Sequence, residues 1–425
     1  MCTKAKTFAA ALLPCIFTVA TPVRAEEIVK DGWNFGPLPC VSYNSDLGLQ
    51  YGVCADIFNY TGVFPDYRQR IYVEASRYTK GQTLLHAQFD SRYLIPGIRT
   101  TFSASYQYDP MFLFYGLGGL EDYDAALDCN KDTRTARYNY KRSMVRVLTN
   151  FQGTISGNLN WIAGLNFWNY TLGDIQMDSY DAESTLFAQM RAAGVISGAE
   201  AEGSSLLEVN AGFSFDSRDN TAAPDSGIWA EVYLTASPNL TDRQYNFLRL
   251  SAHWRHYVTI FPERLVFAYH LAYQGVIAGQ APFCHLQDIS TLYLNQTCTD
   301  GLGGINTVRG LVAQKLVGSN YAWLNAELRL KLFSFNLLNQ SWYVATNPFF
   351  DAGMVTSLCK ADELASFYGR SAEDLRRDAV KPRCSAGLGL KLAMNQNFIV
   401  SAEYAKPFSA ADGPGTVYIA LNYVF

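Results

Sequence analysis

The sequence predicts an all-β fold, a sixteen-stranded antiparallel β-barrel that spans a membrane. Three observations predict it. The stretch from Thr416 to Phe425 alternates, with Val417, Ile419, Leu421, Tyr423 and Phe425 on one face, and about ten residues of such alternation is what a tilted strand needs to cross a bilayer. Similar segments recur along most of the chain. The connections between them are long only after odd-numbered strands, as in a closed barrel with extracellular loops at one end and short periplasmic turns at the other.

Period-two segments bounded by Gly, Pro, Asn and Asp place the strands at 37–44, 47–58, 68–79, 82–94, 99–109, 138–150, 156–170, 205–217, 227–238, 244–260, 264–279, 321–333, 341–354, 384–394, 397–407 and 415–425. The long connections are 110–137, 171–204, 280–320 and 355–383. An even strand count lets the last strand close on the first, so no sheet edge faces lipid. In the twelfth strand Ala322, Leu324, Ala326, Leu328, Leu330 and Leu332 point one way and Asn325, Glu327, Arg329 and Lys331 the other. The second set must face a wet lumen. Two long loops carry helix signals, Thr185 to Ala193 after Ser184, and Leu375-Arg-Arg after the capping box Ser371-Ala-Glu-Asp374.

Residues 1–25 read as a cleavable export signal, with Lys4 and Lys6, an apolar run from Phe8 to Ala20 and Val23-Arg24-Ala25, leaving a barrel domain at 26–425. The apolar run is too short for a membrane-spanning helix. A lipidated Cys15 is the weaker reading, because Pro14 stands where a small residue belongs. Removing the signal takes the net charge from −4 to −7, since Lys4, Lys6 and Arg24 leave with it. Without a clustered basic surface, nucleic acid is not an expected partner. Hydrophobic residues make up 49% and aromatic residues 14% of the chain, which suits alternating strands and aromatic girdles but would also suit an exported soluble sandwich. Loop parity favours the barrel.

Oxidising surroundings favour cysteine pairing. Cys40 and Cys54 are equidistant from a turn near Leu47, and Cys284 with Cys298 and Cys359 with Cys384 each close one extracellular loop. Those three bridges are expected, with Cys129 unpaired or bonded elsewhere. No nucleophile elbow, metal quartet or phosphate loop is present, so neither enzyme activity nor a cofactor is expected. The His253-Trp-Arg-His256 run is no metal motif, because residues three apart on a strand point to opposite faces.

Three segments then carry a resemblance. Val308-Arg309-Gly310-Leu311, in the loop before the twelfth strand, resembles the Val-Arg-Gly-aromatic motif of the BamA/TamA superfamily of outer-membrane barrels, the bacterial surface antigen family. Phe349-Phe-Asp351-Ala-Gly353 is similar to its Phe-x-Asp-x-Gly motif, and Asp216-Ser-Arg218-Asp219 to its turn between strands eight and nine. Leu311 departs from the family's aromatic. About a dozen residues between Ala25 and the first strand leave no room for the family's periplasmic POTRA repeats, so the chain resembles a barrel-only member.

The resemblance implies the outer membrane of a Gram-negative bacterium and a role in insertion or transport of outer-membrane components. Its expected partners are outer-membrane lipids and a periplasmic or surface protein, around a monomeric barrel. The alternatives are a surface anchor and a small-solute pore. A cation on a loop tip enters a lumen only if an acid holds it there, so the sixth extracellular loop is expected to fold inward with Arg309 on Asp351. Val308, Gly310 and Gly353 complete that lock. Tyr423 and Phe425 read as the barrel-terminal signal, and Gly36-Pro-Leu-Pro39 predicts a weak first-to-last seam, since proline lacks a donor.

Overall fold

In the computed structural model, residues 31–44, 47–62, 67–292, 297–337, 340–394, 398–421 and 423–425 are described, without the side chains of 38, 44 and 291–300. The export segment and the possible lipidation site lie outside them. Among the described residues eighteen strands form. They are β1 Asp31–Asn44, β2 Gly48–Thr61, β3 Tyr67–Tyr78, β4 Thr83–Ile95, β5 Ile98–Leu113, β6 Asn139–Ser156, β7 Leu159–Gly173, β8 Ser205–Asp216 and β9 Gly227–Ser237. They continue as β10 Phe247–Phe261, β11 Leu265–Gly279, β12 Asp288–Leu292, β13 Thr297–Asp300, β14 Asn320–Leu337, β15 Gln340–Ser357, β16 Arg383–Met394, β17 Phe398–Pro407 and β18 Thr416–Leu421. Sixteen close into one antiparallel barrel, while β12 and β13 form a separate ribbon inside the sixth extracellular loop.

Alternation sets the two faces. Leu328 and Leu332 are exposed toward lipid, whereas Asn325, Glu327 and Arg329 are buried toward the lumen. No helix among the described residues is long and apolar enough to cross a membrane, which says nothing against strands. Helices α1 Leu186–Ala192, α2 Gly198–Glu202, α3 Phe283–Leu286, α4 Ala361–Tyr368 and α5 Ala372–Ala379 all lie in the long loops. Thr185, one residue after the expected cap, closes the start of α1, and Ser371 accepts Asp374 N–H at the start of α5. Their apolar faces pack together with Phe114, Trp168 and Tyr170 into an outer cap over the barrel mouth.

Three expectations need correction. First, Cys40 lies opposite Gly52 and Cys54 opposite Leu38, so the two are diagonal; Cys40 donates to Glu74 Oε1 at 3.4 Å and both are thiols. Second, Cys284 is a thiol buried in the cap, and Cys298 falls among the undescribed side chains. Cys359 packs against the cap, whereas Cys384 sits in the β16 ladder opposite Ala352, next to the inward-facing Ser385 and therefore on the other face; both are thiols. Third, among the described residues β18 runs only to Leu421. Val417, Ile419 and Leu421 face lipid, but Phe425 turns into the lumen and is buried.

Candidate functional site

The sixth loop enters the barrel at Gly301 and turns back tightly. Thr307 Oγ1 accepts Gly303 N–H at 2.9 Å and donates to Gly303 O at 3.1 Å, and Asn325 Nδ2 on β14 donates to Thr307 O at 2.5 Å. This turn carries Arg309 into the lumen wall. Its Nε and Nη2 donate to Asp351 Oδ2 and Oδ1 at 2.8 and 2.9 Å, a bidentate pair, and its own main-chain N–H donates to Oδ2 at 3.0 Å. Its Nη1 donates to Glu327 Oε1 at 2.6 Å and to Glu403 Oε2 at 3.2 Å. The guanidinium carbon stands 3.5 Å from the Phe349 ring centroid.

Lys391 Nζ donates to Glu403 Oε1 at 2.5 Å and Arg329 Nε to Glu327 Oε2 at 2.9 Å. Three cations, Arg309, Arg329 and Lys391, thus meet three carboxylates, Asp351, Glu327 and Glu403, and all six side chains are buried. Burial alone would lower the Arg309 pKa, but Asp351, Glu327 and Glu403 hold it well above its ordinary value, so the cation is permanent. A neutral, fully paired set is the form in which buried charge is tolerated.

Two glycines make room for the loop. A Cβ on Gly353 would meet Val308 Cγ2 at 2.6 Å, and Gly310, at φ +90°, would put one 3.0 Å from Ala405. Val308 and Leu311 are buried with Leu302, Trp323 and Val355. Gly310 N–H donates to Tyr418 Oη on β18 at 3.1 Å, and Ser385 Oγ donates to Arg309 O.

Among the described residues the barrel closes on a short register, Tyr43 opposite Ile419 and Asn44 opposite Tyr418. Extending it would set Tyr423 opposite Pro39 and Phe425 opposite Pro37, neither of which has an N–H to give. The chain leaves the wall there. Arg329 Nη2 donates to Phe425 O at 2.6 Å, and the Phe425 ring packs on Tyr257, Val266 and Ala268.

An Omp85 superfamily domain matches residues 69–422. The chain belongs to the Omp85 superfamily. It is an outer-membrane β-barrel of that family, and its fold is similar to BamA from Haemophilus ducreyi lacking POTRA domains 1-3, at 16% identity and TM-score 0.61 over 92% of this chain and 70% of that one. CdiB from Escherichia coli is similar at 12% identity and TM-score 0.55, and CdiB from Acinetobacter baumannii at 13% and 0.50. This Omp85 chain spans 62% and 60% of the length of those two CdiB chains. No curated protein matches its sequence.

The Omp85 barrel's third motif lies apart from the lock, at the short-turn end. Arg218 donates to Asp216 Oδ1 and Oδ2 at 2.9 and 2.7 Å and stacks 3.9 Å from the Trp229 centroid, and Asp219 Oδ1 accepts Asp225 N–H at 3.0 Å. These bonds fold the β8–β9 turn on itself. At the opposite end, His285 Nε2 is 2.8 Å from Glu208 Oε1 and its Nδ1 is 2.7 Å from Asp288 Oδ2. Among the described residues no group of three or more His, Cys, Asp or Glu side chains could hold a metal ion.

Reading the motifs finds Arg309, Asp351, Val308, Gly310 and Gly353 but not Glu403, Lys391, Ser385 or Tyr418. Strand alternation places Glu327 in the lumen without naming its partner. The missed residues lie on β16, β17 and β18, and only barrel closure brings those strands around one loop tip.

Proposed function

We propose that this barrel inserts or transports outer-membrane components through the β1–β18 seam. The observation that carries the reading is that the described residues of β1 and β18 make only two register pairs, with Pro39 and Pro37 further along the β1 edge at the positions opposite Tyr423 and Phe425. A closed ladder of ten or more residues would hold shut; a short register beside an edge interrupted by two prolines parts at far lower cost, since each main-chain hydrogen bond contributes only about 0.5–1.5 kcal/mol net. Likeness to BamA and CdiB supports the same role. A lumen filled by loop six and by the inturned chain disfavours free diffusion of solutes. The barrel is read as non-enzymatic, as a monomer, and as working with lipid and with a periplasmic or surface protein.

The test is a covalent staple. Tyr43→Cys with Ile419→Cys joins facing residues of the seam. In cells depending on this barrel, the oxidised form should cause unassembled outer-membrane proteins to accumulate, and reduction should relieve it. Normal outer-membrane protein levels with the staple closed would defeat the reading. Black-lipid recordings address the pore alternative, for which large steady currents would be required.

A further inference from the structure

A cavity of about 480 Å³ lies at the long-loop end of the barrel. The first four loops of that end wall it, together with Val312 of loop six and Thr416 of β18. Main-chain bonds fix these walls. Thr79 N–H donates to Leu49 O at 2.9 Å, tying the second loop to β2, and Asp181 N–H donates to Arg134 O at 2.7 Å, tying the fourth loop to the third. A Cβ on Gly81, at φ +106°, would stand 2.9 Å from Pro110 Cγ, so the second turn lies close against the end of β5. The cavity is therefore preformed, and its volume falls within the roughly 300–1,000 Å³ of small-molecule sites.

Two buried polar side chains in its wall have bonding capacity to spare. Gln82 is 6% exposed, and its amide makes no hydrogen bond among the described residues. Asp109 is 4% exposed; its Oδ1 accepts Met111 N–H at 2.9 Å, and its Oδ2 accepts no hydrogen bond among the described residues. A buried polar group left so is costly, and a ligand that meets it recovers the loss. Half-buried Tyr123 and Tyr180 also line the cavity, Tyr123 stacked on Tyr138 at 6.2 Å between centroids and Tyr180 donating to Cys129 O at 3.3 Å. Lys80 and Lys131 balance Asp109 and Asp128 in the lining, so the cavity favours no ion of either sign.

We propose that this cavity is a binding site for a neutral hexose unit of a saccharide, with Gln82 and Asp109 on its hydroxyls and the rings of Tyr123 and Tyr180 against its C–H face. The chemistry fits the lining. A hydroxyl both donates and accepts, which suits an amide with both capacities beside a carboxylate that only accepts. Sugar C–H groups carry slight positive charge and rest well on the electron-rich face of an aromatic ring. A phosphate would instead meet Asp109 and Asp128 with like charge. The saccharide reaches the cavity either as the head of an outer-leaflet glycolipid or free in solution. Nothing in this site requires that the seam open, so its failure and that of the seam reading are separable.

The experiment uses the full chain in an amine-oxide detergent, which carries no sugar, and follows maltose, lactose and mannobiose by saturation-transfer NMR. At least one should bind saturably, tenfold more tightly than sorbitol, an open-chain polyol. Gln82→Leu and Asp109→Asn should each weaken that binding at least fivefold. In the unaltered chain the same sugar should slow amide exchange at 79–82, which keeps the test open if a variant fails to fold. Exchange there also separates the two sources. Slowing in lipopolysaccharide bilayers relative to phospholipid bilayers, with no sugar added, assigns a glycolipid head, whereas slowing only on addition of the disaccharide assigns a free ligand. Binding no tighter than sorbitol, unchanged exchange under every condition, or equal competition by inorganic phosphate or a Gly-Asn-Gly peptide would overturn the site.

Discussion

The main-chain N–H of Gly310 donates to the Tyr418 hydroxyl at 3.1 Å, joining the tip of the inward loop to the strand that closes the barrel. The next contact reinforces it. Val312 N–H donates to Asp412 O at 3.0 Å, in the short loop that leads into β18. Loop and seam are therefore one mechanical unit. Tyr418→Phe leaves a buried N–H without its acceptor, a loss of roughly 1–3 kcal/mol. Amide exchange along β18 should accelerate while the Arg309 contacts survive; unchanged exchange would show the link to be slack.

Asp351→Asn removes one of three carboxylates facing three cations and leaves Arg309 buried beside an uncharged partner. Deleting one member of a buried pair costs roughly 3–5 kcal/mol. Protease should then cut between 301 and 319, and single-barrel conductance should rise. Intact loop protection with unaltered conductance would exclude a locking role for the pair.

Gly353→Ala drives a methyl to within 2.6 Å of Val308 Cγ2. The loop should loosen, and Val308→Ala should restore much of the loss, because the clash lies between those two side chains. Thermal denaturation of the single and double variants measures the coupling, and simple additivity would mean the two do not touch.

Pro39→Val restores a donor where Tyr423 would sit if β18 ran on. The ladder should lengthen, exchange at the seam should slow, and assembly activity should fall. Seam exchange at the original rate would mean that the missing donor is not what ends the strand.

His285 sets a pH dependence for the outer end of the loop. Burial and Arg249 push its pKa down, yet Asp288 and Glu208 push harder, and the net shift is upward. A histidine raised in the docked state stabilises docking fully below its ordinary pKa of about 6.5 and loses that contribution as pH rises through the docked value. Exchange in 283–290 should therefore quicken on the alkaline side, and His285→Gln should flatten the profile. A profile that quickens toward acid would contradict the sign.

The sequence by itself determined the solvent on each side of the clearly alternating barrel strands, because a period of two leaves a residue no choice of face once its neighbours are apolar. It also determined the sorting of long loops to one end and the Arg309 and Asp351 partners, since a cation on a loop before β14 and an acid among lumenal residues announce themselves by type. What only the tertiary structure decided lies where distant strands converge. Glu403 and Lys391 read as ordinary lumenal charges until closure brings β16 and β17 beside Arg309. Phe425 continues a flawless lipid-facing alternation, yet it turns inward. Alternation reports the solvent a residue prefers, whereas a strand continues only if the neighbour it meets has a hydrogen to donate, and that neighbour, Pro37, is nearly four hundred residues away along the chain.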